Sequence, residues 1–167
     1  MDDWGPLFRN RYRIPSARLR GWDYRRSGIY FVTICVKGRD RCLGEVTDGR
    51  FSASRYGDLV AREWQEIPGS FPRVKLDAWI VMPDHIHGLL ALEPAAEESV
   101  LSLGVIIGQF KSNATKAIRM SGYRVFSWQE RFHDRVIRDQ EELETVRAYI
   151  LENPRRWALK REDGAFG

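Results

Sequence analysis

Two of the three histidines in this sequence, His85 and His87, are separated by a single isoleucine within the stretch MPDHIHGLL (82–90). In a β-strand, side chains at i and i+2 point to the same face, so the two imidazoles would lie side by side while Ile86 enters the core. Neighbouring imidazoles of this kind suit a divalent metal ion. Histidines so spaced also occur where they only form hydrogen bonds, and the motif alone leaves both interpretations open.

A second candidate pair, Tyr149 and Asn153, lies four positions apart near the end of the sequence, a spacing that places both on one helix face. If this face packs over the histidine strand, Asn153 supplies a neutral oxygen to the metal and Tyr149 directs its phenol into the same space. Such a set leaves coordination positions open and suits Mg²⁺ or Mn²⁺ better than a closed zinc site. The alternatives are a core tyrosine and an asparagine that merely ends a helix before Pro154.

The chemistry that this set would support is phosphodiester transfer. The tyrosine oxygen attacks the phosphorus and forms a covalent phosphotyrosine, which releases a hydroxyl on the leaving strand. The metal polarises the phosphoryl oxygen and helps a phenol, with an ordinary pKa of about 10, to act as a nucleophile. Because the energy of the broken bond is retained in the intermediate, a strand could be rejoined without ATP.

The elements that must position these residues follow from hydrophobic periodicity and turn signals. Strands are predicted over 29–36, 74–82, 85–92 and 131–138, with a short hairpin over 44–52 through Asp48-Gly49. Helices are predicted over 56–67, 99–120 and 140–153, the last ended by Asn153-Pro154. Strands and helices mixed without strict alternation predict an α+β fold, with helices covering one face of a mainly antiparallel sheet.

The composition is that of a single globular domain, with 43% hydrophobic and 30% charged residues in 167. No apolar run approaches the roughly 20 residues that a membrane helix needs. The first residues lack the pattern of a secretory signal, so a cytoplasmic protein without membrane association is expected. The two cysteines, Cys35 and Cys42, form no C-x-x-C pattern and are expected to be reduced thiols.

The basic residues are unevenly distributed. The net charge is only +4, but residues 1–26 contain seven arginines interleaved with aromatic side chains. Guanidinium groups for phosphates and aromatic faces for bases are typical of single-strand recognition. Five side chains are the candidate DNA-binding residues: Arg11, Arg18, Arg20, Trp22 and Lys111. For Lys111, on the predicted second helix, an ordinary solvated helix face is the alternative.

Several segments resemble one family. MPDHIHGLL is similar to the His-hydrophobic-His motif of the HUH superfamily. Three further segments resemble the REP-associated tyrosine transposases, which are close relatives of the single-tyrosine IS200-like transposases. These segments are RLRGWDYRRSGIYFVTICVKGR, LGVIIGQFKSNATKAI and WQERFHDRVIRDQEELETVRAYILENPRRW. The resemblance runs from about Arg18 to Trp157, with the motifs in the family's order.

The resemblance implies a ferredoxin-like HUH nuclease fold with a four- to five-stranded sheet. It also implies a divalent metal, Mg²⁺ or Mn²⁺, on His85 and His87, with Asn153 as third ligand and Tyr149 as nucleophile. Family members cut and rejoin single-stranded DNA near hairpin palindromes through a 5′-phosphotyrosine, as monomers or homodimers. One segment departs from the family: similar proteins often read Tyr-Tyr-(Asp/Glu)-His where this chain has residues 132–135, and His133 is left out of the metal set.

We therefore expect a basic arm over residues 1–28, a catalytic domain over 29–157 and a tail over 158–167. Two other functions remain open. The chain could be a domesticated protein that holds DNA or RNA hairpins without cutting them. It could also be a His-x-His metallohydrolase that uses activated water, although barrel-shaped enzymes of that kind need about 250 residues.

Overall fold

The computed structural model of the chain describes residue 23, residues 25–95 and residues 101–162. Four of the five candidate DNA-binding residues, Arg11, Arg18, Arg20 and Trp22, lie outside the described residues. Most of the predicted basic arm lies outside them as well. The described part contains both candidate pairs of the site and every predicted strand.

A four-stranded antiparallel sheet forms the centre of the fold, as the sequence predicted. The strands rich in apolar residues pair in the order β4-β5-β1-β6. Their bounds are Gly28–Cys35 (β1), Val74–Met82 (β4), His85–Leu92 (β5) and His133–Ile137 (β6). With one helix between β1 and β4 and another between β5 and β6, this is the ferredoxin-like arrangement. The α+β fold class is confirmed.

A separate hairpin consists of β2, Gly44–Thr47, and β3, Arg50–Ala53. Its two turn residues, Asp48 and Gly49, have φ angles of 51° and 70°. Two successive positive φ angles match the twist of a two-residue hairpin loop, which is why Asp-Gly predicts this turn. The hairpin prediction is confirmed.

Four α-helices and a short 3-10 helix, Lys37–Arg39, accompany the strands in the described part of the chain. The α-helices are α1 (Arg55–Gln65), α2 (Ile67–Ser70), α3 (Leu103–Met120) and α4 (Gln140–Glu162). Ser54 and Ser102 cap α1 and α3 by accepting hydrogen bonds from backbone N–H groups of the first turn. The expected starts at 56 and 99 are therefore corrected to 55 and 103. Pro68, predicted to close the first helix, instead lies in the first turn of α2, where a missing N–H is tolerated.

The helices cover both faces of the sheet, which corrects the expectation of one covered face. Side chains of α1 and α3 pack with Tyr30, Ile34 and Ile86 in the larger hydrophobic core. Residues of α4 pack with Phe31 and Leu89 in a second core. Because neighbouring residues of a strand point to opposite faces, the two cores lie on opposite sides of the sheet. The strands are apolar on both faces and therefore require cover on both.

The last helix continues through Pro154 to Glu162, whereas the sequence predicted an end at Asn153-Pro154. An interior proline costs a helix roughly 3 kcal/mol because it removes one backbone hydrogen bond and crowds the preceding turn. Burial of Trp157, 6% exposed and packed in a cluster with Val46 and Met82, offsets this cost. Residues 158–162, predicted to begin the tail, thus belong to α4. No helix in the described part is long and apolar enough to cross a membrane.

Candidate active site

The histidine pair lies on the face of the sheet that α4 covers. His85 and His87 are 5% and 1% exposed, and their Nε2 atoms are 3.0 Å apart. Ile86, between them, points into the larger core on the opposite face, as the alternation of a strand requires. The next residue in the motif is Gly88, and a side chain would not fit there. A Cβ at this position would stand only 2.2 Å from Cζ2 of the Trp64 ring. The sequence prediction for this strand is confirmed.

Each imidazole is oriented by an oxygen atom at its other nitrogen. His85 Nδ1 donates to Asp84 Oδ1 at 2.5 Å, because a carboxylate can only accept. His87 Nδ1 lies 2.8 Å from Thr33 Oγ1, which can accept a hydrogen bond from it. With both Nδ1 atoms protonated, both Nε2 lone pairs would face the same space, 3.0 Å apart; without a metal, one Nε2 can instead donate to the other. Ligand histidines in metal sites are held in this way by carboxylates and hydroxyls.

Both histidines are held neutral by their surroundings. Burial lowers the pKa of His85 below 6.5, although the hydrogen bond to Asp84 acts in the opposite direction. Burial lowers the pKa of His87 well below 6.5, and its position beside His85 lowers it further because two protonated imidazoles would repel each other. A neutral imidazole is the form that binds metal, so the pair is available as ligands at neutral pH without loss of a proton.

The spacing of the two nitrogens suits one shared ion. Two nitrogens about 2.1 Å from a metal and 3.0 Å apart subtend an angle of about 90° at the ion, which is that of neighbouring octahedral ligands. The described residues contain no group of three His, Cys, Asp or Glu side chains that could hold a metal.

Tyr149 of α4 reaches the histidine pair. Its ring centroid is 5.3 Å from that of His87, and both rings contact Phe31 of β1. Tyr149 is 7% exposed and belongs to the second core. The residue is thus a core tyrosine and a neighbour of the histidines at once, which unites the two interpretations that the sequence left open.

Asn153 lies between two residues that contact the histidines. Tyr149, Asn153 and Trp157 are spaced by four residues on one face of α4, and all three are buried. Tyr149 contacts His87, one helical turn before Asn153, and the ring of Trp157 lies 5.9 Å from His85, one turn after it. Asn153 therefore faces the histidine pair from the helix side.

Two polar contacts fix α4 over this face of the sheet. At its start, Asp139 Oδ1 accepts from Glu142 N, and the Glu142 carboxylate accepts from Arg135 of β6. Two residues before Tyr149, the Arg147 guanidinium donates two hydrogen bonds to Asp77, at 2.9 and 2.6 Å. Asp77 lies where the pairing of β4 with β5 shifts register. A bidentate pair of this kind fixes the rotation of the helix as well as its position.

Three residues of the site were missed in the sequence. Asp84 and Thr33 hold the histidines, and Arg39 Nε forms an ion pair with Asp84 Oδ2 at 3.0 Å. The position of Asp84 directly before the motif was a usable signal. Thr33 and Arg39 are distant in sequence, and only the pairing of β1 with β5, which sets Thr33 opposite His87, brings Thr33 into place.

Two other residues named in the sequence lie apart from this centre. Lys111 of α3 donates to the backbone carbonyls of Gln129 and Glu130, and burial lowers its pKa. It lines a cleft beside α3, and its DNA-binding role stays a prediction. His133 pairs with Thr33 on the side away from His87, so Thr33 separates it from the histidine pair.

Comparison with known proteins identifies the relatives of this chain. The model of the family "Transposase IS200 like" matches residues 29–153. A Haemophilus influenzae protein of uncharacterised function is 28% identical over 159 residues, covering 85% of this chain and 88% of that protein. A second protein of that organism, named provisionally as a REP-associated tyrosine transposase, is 28% identical over 138 residues, covering 79% and 73%.

Solved structures show the same fold. The structure of a REP-associated tyrosine transposase bound to a REP hairpin has a TM-score of 0.59 at 22% identity, covering 81% of this chain and 73% of that one. A crystal structure of a provisionally named transposase from Deinococcus radiodurans has a TM-score of 0.52 at 17% identity, covering 82% and 96%. These matches confirm the resemblance found in the sequence. The chain belongs to the IS200-like transposase family.

Proposed function

We propose that this transposase is a metal-dependent single-stranded DNA endonuclease and strand transferase. It nicks and rejoins DNA near hairpin palindromes through a 5′-phosphotyrosine on Tyr149, with His85, His87 and Asn153 as ligands of Mg²⁺ or Mn²⁺. The family match supports DNA processing, and the relative solved with a REP hairpin supports a hairpin-containing DNA substrate.

The observation that carries the proposal is the contact between the candidate nucleophile and the candidate ligand pair. The Tyr149 ring lies 5.3 Å from His87, whose Nε2 is 3.0 Å from that of His85. A pure hairpin-binding protein requires no tyrosine against two neutral, oriented imidazoles. Because both groups belong to one chain, a single copy contains every residue of the proposed site.

The reaction exchanges one phosphoester bond for another. The Tyr149 phenolic oxygen attacks phosphorus, its proton passes to water, and the bond from phosphorus to the 3′-oxygen breaks. The leaving 3′-oxygen takes up a proton, so one strand ends in a 3′-hydroxyl and the other is joined to the protein through its 5′-phosphate. In the reverse direction, a 3′-hydroxyl attacks the phosphotyrosine and the phenol leaves. No net oxidation or hydrolysis is involved.

The residues present fit a divalent ion. Burial lowers the pKa of both imidazoles, and with Nδ1 protonated on each their Nε2 atoms can serve as ligands from one direction, while Asn153 offers a neutral oxygen from α4. A bound Mg²⁺ or Mn²⁺ would withdraw charge from the phosphoryl oxygens as the bonds exchange. Asp84 and Thr33 keep the imidazoles oriented, while the packing of Tyr149 against Phe31 limits the movement of the phenol.

The proposal is tested with end-labelled single strands that carry the palindromes beside the gene of this protein. Wild type and Tyr149→Phe are incubated with Mn²⁺, with Mg²⁺ or with a chelator, and the products are separated on a denaturing gel. We expect a protein–DNA adduct and a shortened strand only with metal and only in the wild type. Tyr123→Phe is the matched control, because Tyr123 follows α3 and contacts Tyr56 rather than the histidines.

Two results would contradict the proposal and point to the alternatives. Hairpins retarded on a native gel without an adduct under any metal would favour a non-catalytic hairpin-binding protein. Metal-dependent cleavage that persists in Tyr149→Phe would favour hydrolysis by activated water. Loss of the adduct in His85→Gln and His87→Gln, with hairpin binding retained, would support the assignment of the pair.

A further inference from the structure

A cleft beside α3 lies on the face of the sheet opposite to the candidate active site. It has a volume of about 570 Å³ and separates α3 from the segment that follows this helix. Trp128, in the cleft wall, packs with Phe110 in the larger core, whereas Tyr149 belongs to the second core. The cleft is therefore distinct from the histidine pair and its nucleophile.

Two cations of α3 fix the shape of this cleft. Lys111 Nζ donates to the backbone carbonyls of Gln129 and Glu130 at 2.6 and 3.1 Å. Arg119 Nε donates to the carbonyl of Phe126 at 2.9 Å, which leaves the two terminal amino groups of its guanidinium for other acceptors. These bonds tie the segment after α3 to the helix at two points, so a ligand would meet a preformed cleft.

The cleft is positively charged. Three cations, Lys111, Lys116 and Arg119, line it against one carboxylate, that of Glu130. Burial lowers the pKa of Lys111, and the charge of Glu130 opposes this shift. Lys116 and Arg119 are exposed, and neither forms an ion pair within the part of the chain that the structure describes. Two unpaired cations at the mouth of a cleft suit an anionic ligand.

The spacing of the donors suits a row of phosphates. Ser112, Lys116 and Arg119 follow each other at intervals of four and three residues, so they lie on one face of α3. At a rise of 1.5 Å per residue, they extend over about 10 Å along the helix. A row of this length can contact about two successive phosphates of one DNA strand.

The cleft offers no exposed ring on which a base could stack. Trp128, the aromatic residue in its wall, is 6% exposed and packs between Phe110 and Phe126. Sites for single-stranded DNA combine cations with exposed aromatic rings. Cations and a hydroxyl without such a ring favour the backbone of a paired stem, whose bases are already stacked with one another.

The cleft also lies at the same end of the sheet as the histidine pair. In its wall, Gln129 N donates to the carbonyl of Cys35, and Ser127 O accepts from Lys37 N. Cys35 is the residue of β1 that pairs with His85 of β5. A single strand that leaves a stem in the cleft therefore passes only the end of the sheet to reach the histidines.

We propose that this cleft is a second DNA-binding site, which holds the backbone phosphates of a hairpin stem through Ser112, Lys116 and Arg119. Lys111 supports the cleft wall and retains one N–H for the DNA. The inference rests on the proposed function and deepens it, because it places the stem on one face of the sheet and the cleavage chemistry on the other. Stem binding here requires no metal.

The experiment uses the full chain with Tyr149→Phe and a chelator, so that the DNA stays intact. Anisotropy of a labelled hairpin with single-stranded flanks gives its Kd at several salt concentrations. A strand of equal composition with a scrambled palindrome is the comparison DNA. In the test variant, which adds Lys116→Gln and Arg119→Gln, we expect hairpin binding to weaken about tenfold and the salt slope of log Kd to fall by about two. Binding of the scrambled strand should change less than about twofold.

Two further variants serve as controls. Arg62→Gln with Lys75→Gln removes the same charge from exposed positions, and Lys75 pairs with Ala91 at the end of the sheet remote from His85. Lys116→Glu reverses a charge at a side chain that forms no hydrogen bond or ion pair in the described part of the chain. It should weaken hairpin binding without disturbing the wall contact of Arg119.

Each outcome bears on the stem site or on its basis. Selective loss of hairpin binding with the smaller salt slope is the expected result. Equal losses in the test variant and the charge-matched control would show non-specific attraction and overturn the inference, as would equal losses for hairpin and scrambled strand. Unchanged hairpin binding, while the wild type still forms its Tyr149 adduct, would overturn the inference and leave the proposed function standing. Absence of both hairpin binding and adduct without any substitution in the cleft would overturn the proposed function itself.

Discussion

Asp84 and Thr33 determine how the two histidines of the site present their lone pairs. The Asp84 carboxylate contacts His85 Nδ1 and Arg39 Nε, so it is held from two sides. Its backbone carbonyl accepts from Val36 N, and this bond ties the turn before β5 to the end of β1. The orientation of the His85 imidazole is therefore built into the backbone of two strands.

Substitution Asp84→Asn tests this role. The amide can present either its acceptor oxygen or its donor NH2 group to His85 Nδ1, so the imidazole loses its preferred tautomer. We expect Mn²⁺ affinity, measured with bound DNA, to fall by about 10-fold to 100-fold. Asp58→Asn, an exposed site on α1, should leave it unchanged. Equal affinity in wild type and Asp84→Asn would remove Asp84 from the metal site.

The buried neutral histidines also predict how stability depends on pH. In the folded protein the pKa of His87 lies well below 6.5 and that of His85 is also lowered, whereas the unfolded chain titrates near 6.5. The unfolded state therefore binds more protons in acid, and the contribution to stability present above pH 6.5 is lost as the pH falls below it. Urea unfolding from about pH 7.5 to about pH 5 should show this loss.

The double variant His85→Gln/His87→Gln is the control for that pH dependence. Glutamine does not titrate, so the curve of unfolding free energy against pH should become flatter between pH 5 and 7. His133→Gln should retain most of the slope, because His133 is only half-buried. An unchanged slope in the double variant would contradict the neutral, buried state of the pair.

At the scale of single residues, periodicity predicted the geometry that lies within one element. The i, i+2 rule placed His85 and His87 together, and the i, i+4 rule placed Tyr149 and Asn153 on one helix face. Thr33 and Arg39 could not be found in this way, since no local pattern encodes a neighbour across two strands or a loop. Their assignment requires the register of β1 against β5.

At the scale of elements, the second half of α4 is the least expected feature. It continues beyond Pro154 because Trp157 is buried among the sheet and the β2–β3 hairpin. Helix propensity reflects only the local free-energy cost of proline and therefore predicts that the helix ends before Pro154. The stabilising burial is a tertiary contact and has no signature in the local sequence.

Substitution Trp157→Ala tests this balance. It removes a large buried ring, and we expect the free energy of unfolding in urea to fall by about 3 kcal/mol. The turns after Pro154 should also lose helical structure, seen as a weaker far-ultraviolet circular dichroism signal. Leu159→Ala is the control on the same helix, because Leu159 is 59% exposed. A change below about 0.5 kcal/mol in Trp157→Ala would contradict the account of why α4 continues.

The helix layout shows a second limit of prediction from sequence. Apolar residues predicted the strands Ile29–Val36 and His85–Leu92. Because those residues point to both faces of the sheet, helices cover both faces, whereas the sequence predicted helices on one face only. Which helix lies on which face depends on docking contacts such as Arg147 with Asp77, joined across 70 residues. The face that carries the candidate site is therefore defined by tertiary contacts rather than by helix periodicity alone.

At the scale of the whole molecule, one chain contains the candidate nucleophile and the candidate ligand pair. Tyr149 contacts His87 within a single copy, so a mixture of two inactive variants should not recover activity. We expect Tyr149→Phe mixed with His87→Gln to form no adduct, measured on a denaturing gel over a range of protein concentrations. Recovery of the adduct in the mixture would mean that helices or strands are exchanged between copies.

The central claim is that Tyr149 forms the covalent bond to DNA. The most direct measurement is mass spectrometry of the nuclease-trimmed, protease-digested adduct formed with Mn²⁺ and a strand labelled on either side of the nick. The account predicts a nucleotide on the peptide that contains Tyr149, attached through the 5′-phosphate, with the 3′-hydroxyl on the released strand. A nucleotide on any other residue, or cleavage without a modified peptide, would contradict it.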